Sequence, residues 1–98
     1  MGGQTWSGVL DLWRHLESTG WDIACVTDHF MPNTKDREGA VLESWSTLSA
    51  LAALVPRMRV GTIVLGNTYR HPAVVAKMAA QVDIISGGRL LLGLGAAW

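Results

Sequence analysis

The sequence has few charged residues and only one cysteine, and these two shortages already exclude several classes of protein. Charged residues make up 16% of the 98 residues, and eight basic and eight acidic side chains give a formal net charge of zero. A chain of this composition lacks the basic surface that nucleic-acid binding requires. Cys25 has no second cysteine for an internal disulfide, so we expect a buried, reduced thiol and a cytoplasmic protein.

Long apolar runs are also missing, although 49% of the residues are hydrophobic. A membrane-spanning helix needs about 20 consecutive apolar residues, and no stretch of this sequence approaches that length. Residues 1–5 show neither the basic region nor the apolar region of a signal peptide. We therefore expect a globular chain, with no membrane partner, that buries most of its apolar side chains.

The spacing of apolar residues predicts helices that alternate with short strands. Helices are predicted over 5–19, 41–54 and 72–86, and strands over 23–27, 58–65 and 89–95. Gly20 suits the C-terminal end of the first helix, Pro56 stops the second, and Pro72 suits the first turn of the third. The tryptophans on or beside the helices are expected in the core: Trp6, Trp13, Trp21 and Trp45.

The alternation of helices and strands predicts a parallel sheet with right-handed crossovers. Three helices do not cover both faces of such a sheet, and three strands leave two edges without a neighbour. We therefore interpret the chain as part of a larger α/β fold, either a (β/α)8 barrel or a doubly wound sheet.

Polar residues and glycines follow each predicted strand, at the edge where α/β folds place their active sites. Asp28 and His29 are the most informative pair, because histidine exchanges a proton near neutral pH and an aspartate can orient it. The alternative is an aspartate that binds backbone amides at the start of a loop. The glycines of 66–68 and 93–95 either make ordinary turns or let the backbone approach a ligand.

Two further patterns leave alternatives open. Arg70 and His71 precede the third predicted helix, where they are either exposed capping residues or contacts for an anion. Asp28 and His29 are adjacent, so their side chains on a strand would point to opposite faces, and no HxH, HExxH or CxxC occurs. We expect no metal site.

Four segments, in order, resemble the luciferase-like monooxygenase family, and most closely its branch that uses the deazaflavin coenzyme F420. The segments are 20–30 (GWDIACVTDHF), 42–48 (LESWSTL), 61–77 (GTIVLGNTYRHPAVVAK) and 86–98 (SGGRLLLGLGAAW). The resemblance implies a partial (β/α)8 barrel that contains roughly strands 2–4 with their helices. On this interpretation residues 1–98 are the N-terminal part of the barrel domain, and strand 1 and strands 5–8 are missing.

The resemblance also implies which residues form the site. Asp28 and His29 would be catalytic and would lie beside the cofactor ring, with His29 as the proton donor or acceptor. The other cofactor-binding residues would follow the next two strands: Leu65, Gly66, Asn67, Thr68, Gly95, Ala96 and Ala97. The family carries a non-proline cis peptide in the bulge that the region of residues 65–67 resembles, although the sequence does not identify which peptide it is. Ala97 departs from the family pattern, which has a glycine at this place.

The implied activity is that of an oxidoreductase or monooxygenase with F420, or alternatively FMN, at the C-terminal mouth of the barrel. The implied partners are a small-molecule substrate and, in the complete protein, further copies of the same chain. Two other hypotheses remain open at this stage. The chain is either a truncated, non-catalytic barrel half that needs a partner chain, or part of a barrel hydrolase that holds a metal at Asp28 and His29.

Overall fold

The computed structural model describes residues 5–32 and 40–96, and in these ranges helices alternate with short strands. The elements are α1 (Trp6–Ser18), β1 (Ile23–Val26), α2 (Ser44–Leu54), β2 (Arg59–Thr62), β3 (Leu65–Gly66), α3 (Pro72–Ile85), β4 (Leu90–Leu91) and β5 (Leu94–Gly95). None of the helices in the described ranges has the length and apolarity needed to cross a membrane.

The strands form two small parallel sheets, which confirms the predicted parallel arrangement. In the larger sheet β2 lies between β1 and β4, with Ala24 opposite Val60 and Val60 opposite Leu90. In the smaller sheet β3 pairs with β5, and Gly66 lies opposite Gly95. Parallel neighbours place all the carboxyl ends of these strands on one side of the structure.

The prediction of unbroken strands over 58–65 and 89–95 is wrong. The first divides into β2 and β3 at the Ile63–Val64 peptide, which is cis, and the second divides into β4 and β5 at 92–93. At this level the Thr62 Oγ1 donates to the Gly93 carbonyl oxygen at 2.8 Å and accepts from the Gly93 N–H at 3.0 Å. The Thr62 hydroxyl thus bonds the Gly93 backbone where both strands are interrupted, and the Gly93 carbonyl also accepts from the Leu65 N–H at 2.7 Å.

The three predicted helices are confirmed, but the second begins later than predicted. Its first residue is Ser44 rather than residue 41, because the Glu43 carboxylate accepts from the backbone N–H groups of Trp45 and Ser46 at 2.9 and 3.1 Å. A side-chain acceptor at this position satisfies donors that the first turn of a helix leaves unpaired. The cap therefore sets the start of α2 beside the carboxyl end of β1.

The core lies between the helices and the sheet, and it contains only part of the predicted tryptophan set. Trp13 and Trp45 are buried as predicted, with exposed fractions of 5% and 6%. Trp6 and Trp21 are 38% and 60% exposed, so the prediction that they lie in the core is wrong. Trp6 is the first residue of α1 and Trp21 follows its end, so both lie beyond the face that packs on the sheet.

One arginine connects the C-terminal end of α2 to the start of β4. The Arg89 guanidinium donates to the backbone carbonyls of Ala52, Val55 and Met58 at 2.6–2.8 Å, and its Nε donates to the Ser86 carbonyl at 2.6 Å. A helix leaves its last carbonyls without backbone partners, and here a side chain distant in sequence supplies the donors. This contact lies at the amino ends of the strands, away from the site described next.

Candidate active site

A pocket of about 310 Å³ opens at the carboxyl ends of β1, β3 and β5. It is lined by Asp28, His29, Ile63, Val64, Gly66, Tyr69 and Ala96. The residues come from the ends of several strands because parallel pairing brings those ends together. The pocket lies at the carboxyl ends of the strands, which is the edge where the sequence predicts the functional residues.

The Asp28 carboxylate is buried at the base of this site and accepts four hydrogen bonds. Its Oδ1 accepts from the Ser44 hydroxyl at 2.7 Å and from the Arg70 Nη2 at 3.2 Å. Its Oδ2 accepts from the Gly66 backbone N–H at 2.9 Å and from the Arg70 Nη1 at 2.6 Å. One side chain thus joins the exit of β1 to the start of α2, to β3, and to the turn before α3.

These partners decide the charge of Asp28. Burial alone would raise the pKa of the Asp28 carboxyl, but the hydrogen bonds from Arg70, Ser44 and Gly66 and the charge of Arg70 outweigh burial and lower the pKa. The same ion pair raises the pKa of the Arg70 guanidinium, chiefly through its hydrogen bond to Asp28. Asp28 is therefore an anion at neutral pH, and the positive charge of Arg70 balances its negative charge.

His29 and an aromatic pair form one wall of the pocket. His29 follows Asp28 directly, is half-buried, and lines the pocket. The rings of Phe30 and Tyr69 pack against each other with their centroids 4.5 Å apart and their planes inclined by 34°. Tyr69 lines the pocket, while Phe30 is 59% exposed. This wall therefore combines an imidazole, which can exchange a proton, with a rigid aromatic surface.

An apolar ledge, formed by Ile63 and Val64, lies along the same pocket. The two side chains are 64% and 44% exposed, which is unusual for large aliphatic residues between two buried strands. The expected non-proline cis peptide is present and joins these two residues, just before the 65–67 region that the sequence indicates. The exposed side chains leave apolar surface available to a ligand.

The lining suits part of a flavin or deazaflavin ring system. Small-molecule sites are mostly apolar with a few polar groups, and they usually enclose about 300–1,000 Å³. The ledge offers an apolar surface for a planar ring, and His29 and Tyr69 supply polar groups beside it. The volume of about 310 Å³ lies near the lower end of that range.

The structure brings four of the predicted site residues into this pocket: Asp28, His29, Gly66 and Ala96. Leu65 is fully buried in the core, and Asn67 and Thr68 are exposed in the turn that follows β3. Gly95 pairs with β3 in the smaller sheet. Ala97 lies outside the described residues. The assignment of catalytic and cofactor-binding roles to these residues remains a prediction.

Sequence reasoning missed the residues that complete the site. The sequence does not indicate that Ile63 and Val64 line a pocket, because an apolar run in a predicted strand is expected to be buried. Arg70 was considered as an exposed capping residue or as a contact for an external anion, and its partner is instead the Asp28 carboxylate. Within residues 5–32 and 40–96, no group of three or more His, Cys, Asp or Glu side chains could hold a metal ion.

Comparisons with known proteins identify the family and agree with the fold. The family model described as luciferase-like monooxygenase matches residues 1–98, and the chain belongs to this family. Among curated proteins, it is 38% identical over 88 residues to the F420-dependent glucose-6-phosphate dehydrogenase of Nocardia farcinica, covering 89% of this chain and 26% of that protein. It is 34% identical over 94 residues to the 4-hydroxyprotoasukamycin monooxygenase of Streptomyces nodosus subsp. asukaensis, covering 89% of this chain and 24% of that protein.

Solved structures show the same fold. The coenzyme F420-dependent tetrahydromethanopterin reductase of Methanopyrus kandleri superposes with a TM-score of 0.77 at 25% identity, over 94% of this chain and 24% of that one. The oxygenating constituent of 3,6-diketocamphane monooxygenase from Pseudomonas putida, in complex with FMN, superposes with a TM-score of 0.81 at 19% identity, over 99% of this chain and 27% of that one. The structure is thus part of a (β/α)8 barrel, and the chain spans about a quarter of the length of these relatives.

Proposed function

We propose that this chain forms the part of a luciferase-like oxidoreductase that holds one face of F420, with FMN as the alternative cofactor. The observation that carries the proposal is the apolar ledge of Ile63 and Val64 beside His29 at the carboxyl ends of the strands. Curated relatives named as F420-dependent and a structural neighbour in complex with FMN support the choice of cofactor. On this proposal β1 corresponds to strand 2 of the barrel, β2 with β3 to strand 3, and β4 with β5 to strand 4.

The bound cofactor would supply hydride transfer, and the protein residues would position it and handle the proton. Ile63 and Val64 would contact the ring, and Gly66 and Ala96 would border it without side chains that obstruct it. His29 would give or take a proton at its imidazole, because histidine is the side chain that most often serves as a general acid or base. The substrate would be a small molecule. The expected homo-oligomer and cytoplasmic location remain predictions.

The first test measures cofactor binding with two matched isoleucine variants in the complete polypeptide that carries this sequence. Ile63→Glu places a charge on the ledge, and Ile84→Glu places the same charge at a residue of α3 that is 73% exposed. Removing an apolar contact of this size costs about 1.5–3 kcal/mol, so we expect Ile63→Glu to weaken F420 binding at least tenfold. Fluorescence titration with F420 and with FMN measures the affinity of each variant for the two cofactors. Equal affinity of the two variants, or binding of neither cofactor by the unaltered protein, would contradict the proposal.

A second test addresses His29. In the same polypeptide, His29→Ala should lower turnover about 10²–10⁴-fold while changing the unfolding midpoint little. His15→Ala is the matched control, since His15 is exposed on α1. Glucose 6-phosphate, which is named for the curated relatives, is the first substrate to try. Turnover of the His29 variant equal to that of the His15 variant would remove His29 from the mechanism.

A barrel segment that acts only together with a second chain is the alternative function. In the described part of the larger sheet, β1 and β4 each pair on one side only, with β2. Their other edges would bind strands supplied by a partner chain. Co-expression with a chain equivalent to the remaining three quarters of a relative tests this alternative, which predicts co-purification of the two chains.

A further inference from the structure

The Asp28 carboxylate has no acceptor position left for a ligand. An ionised carboxylate offers about four lone-pair positions on its two oxygens. Four hydrogen bonds fill them: one from Ser44, one from Gly66 and two from Arg70. The side chain is 1% exposed. Asp28 lines the pocket, but its polar atoms are directed to protein donors, so it acts on a ligand only through the groups that it holds.

Arg70 is the centre of this network. Its side chain is 14% exposed, and its guanidinium binds both oxygens of Asp28. Its Nη2 also lies 3.6 Å from the Glu43 Oε2, and Glu43 caps α2. Among residues 5–32 and 40–96, the charged or titratable groups around Asp28 are therefore Arg70, Glu43 through Arg70, and the neighbouring His29 and Tyr69 of the pocket wall. Since arginine keeps its charge at every working pH, the network has a permanent cation.

The network links the segment that bears the apolar ledge to the residue that precedes His29. Gly66 ends β3, and its N–H is held by Asp28, which directly precedes His29 in the chain. The ledge of Ile63 and Val64 lies just before β3, so the position of β3 fixes the position of the ledge. Both walls of the pocket are thus connected to one carboxylate, and Arg70 binds both oxygens of that carboxylate.

We propose that Arg70 is a positioning residue of this site, which orients the Asp28 carboxylate so that it holds the Gly66 N–H and thereby aligns the ledge with His29. The inference rests on the proposed function, because the ledge is the proposed cofactor surface. Asp28 is then an anchor rather than a proton acceptor. His29 and Tyr69 are the pocket side chains that have protons to exchange.

The test is a double-mutant cycle of Arg70→Met and Asp28→Asn in the complete polypeptide, with Arg14→Met, an exposed arginine of α1, as control. Arg70→Met leaves a buried, incompletely paired anion, so we expect at least a tenfold loss of F420 affinity. The double variant should recover most of that loss, because a neutral asparagine still accepts from the Gly66 N–H and no unpaired charge remains. Asp28→Asn alone should bind F420 more weakly than the double variant. In the single variant the N–H donors of the asparagine amide face the N–H donors of the Arg70 guanidinium, and the positive charge has lost its partner.

A second readout needs no cofactor. In the unaltered protein the lowered pKa of Asp28 gives stability that is present above about pH 4, the unfolded pKa, and is lost as the pH falls below it. In Arg70→Met, burial without the guanidinium should raise the pKa above that of the unfolded chain. The variant should then be most stable at acid pH and lose stability as the pH rises, so the slope changes sign. Urea midpoints measured from below pH 4, where the unaltered protein loses this stability, up to pH 7, where the variant should lose it, give both slopes.

Each outcome decides the inference. A reversed slope in Arg70→Met that disappears in the double variant supports it, even if the unaltered protein binds neither F420 nor FMN, a result that would contradict only the proposed function. Unchanged affinity and slope in Arg70→Met would overturn it. So would a double variant that binds no better than Asp28→Asn, since Asp28 would then contact the ligand itself. If Arg70→Met does not fold, Arg70→Lys keeps the charge without the two-pronged contact, and F420 affinity equal to that of the unaltered protein would overturn the inference.

Discussion

Replacing Arg89 with methionine removes the side chain that joins the end of α2 to the start of β4. Methionine keeps much of the length and apolar volume of arginine but donates no hydrogen bond. The carbonyls of Ala52, Val55, Met58 and Ser86 would each lose a donor that now lies at 2.6–2.8 Å. These carbonyls belong to helix ends and to the connection between α2 and β2. The substitution should therefore weaken the packing of α2 against the sheet.

The expected loss of stability follows from the number and burial of these bonds. An acceptor left without a partner costs about 1–3 kcal/mol when it is buried, and less where water can replace the donor. Arg89 is half-buried, so we expect water to replace some of the four bonds. The free energy of unfolding should then fall by about 3 kcal/mol. At a slope of about 2 kcal/mol per molar urea, the midpoint should fall by about 1.5 M.

The assay is urea unfolding of the complete polypeptide, followed by tryptophan fluorescence, because Trp45 is buried in α2. Arg14→Met is the matched control, since it removes the same charge from an exposed position of α1. Arg89→Lys tests the geometry, because one ammonium group cannot reproduce the fork of donors. If Arg89→Met and Arg14→Met unfold at the same urea concentration, the reasoning that Arg89 joins these elements is refuted.

Two further predictions concern small groups in β1 and β2. Gly61→Ala should lower the free energy of unfolding by about 2 kcal/mol, because an added Cβ would lie 2.3 Å from the Leu91 carbonyl oxygen in the neighbouring strand; an unchanged urea midpoint would contradict it. Cys25 should react with a disulfide reagent at neutral pH at least tenfold more slowly in the folded protein than in urea, because burial raises the pKa of its thiol. Equal rates would show that the thiol is not protected.

The helices and the parallel pairing could be predicted from the sequence because their signals are local. Apolar residues at helical spacing marked the buried face of α2, and Pro72 marked the start of α3. The strand breaks had no such signal. An apolar run predicts a strand, and nothing in residues 58–65 distinguishes a continuous strand from one that turns aside at Ile63 and Val64 to expose them.

The position of the site could also be predicted, but its electrostatics could not. Asp28 and His29 follow a strand, and that is sufficient to place them at the functional edge of an α/β fold. Arg70 lies 42 positions away from Asp28 in the chain, and the pair forms only because the fold brings the turn after β3 to the residue that follows the β1 strand by two positions. A contact of this kind depends on how distant segments come together in the fold, which no local pattern of residues predicts.

The hydroxyl of Thr62 restricts which residues this position can accept. It donates to the Gly93 carbonyl and accepts from the Gly93 N–H, so the side chain must do both through a single atom. Serine meets that requirement, whereas valine, which has nearly the same shape as threonine, would leave the Gly93 N–H without its acceptor. For protein engineering, position 62 is therefore closed to apolar residues, although apolar Ile63 and Val64 follow it directly in the chain.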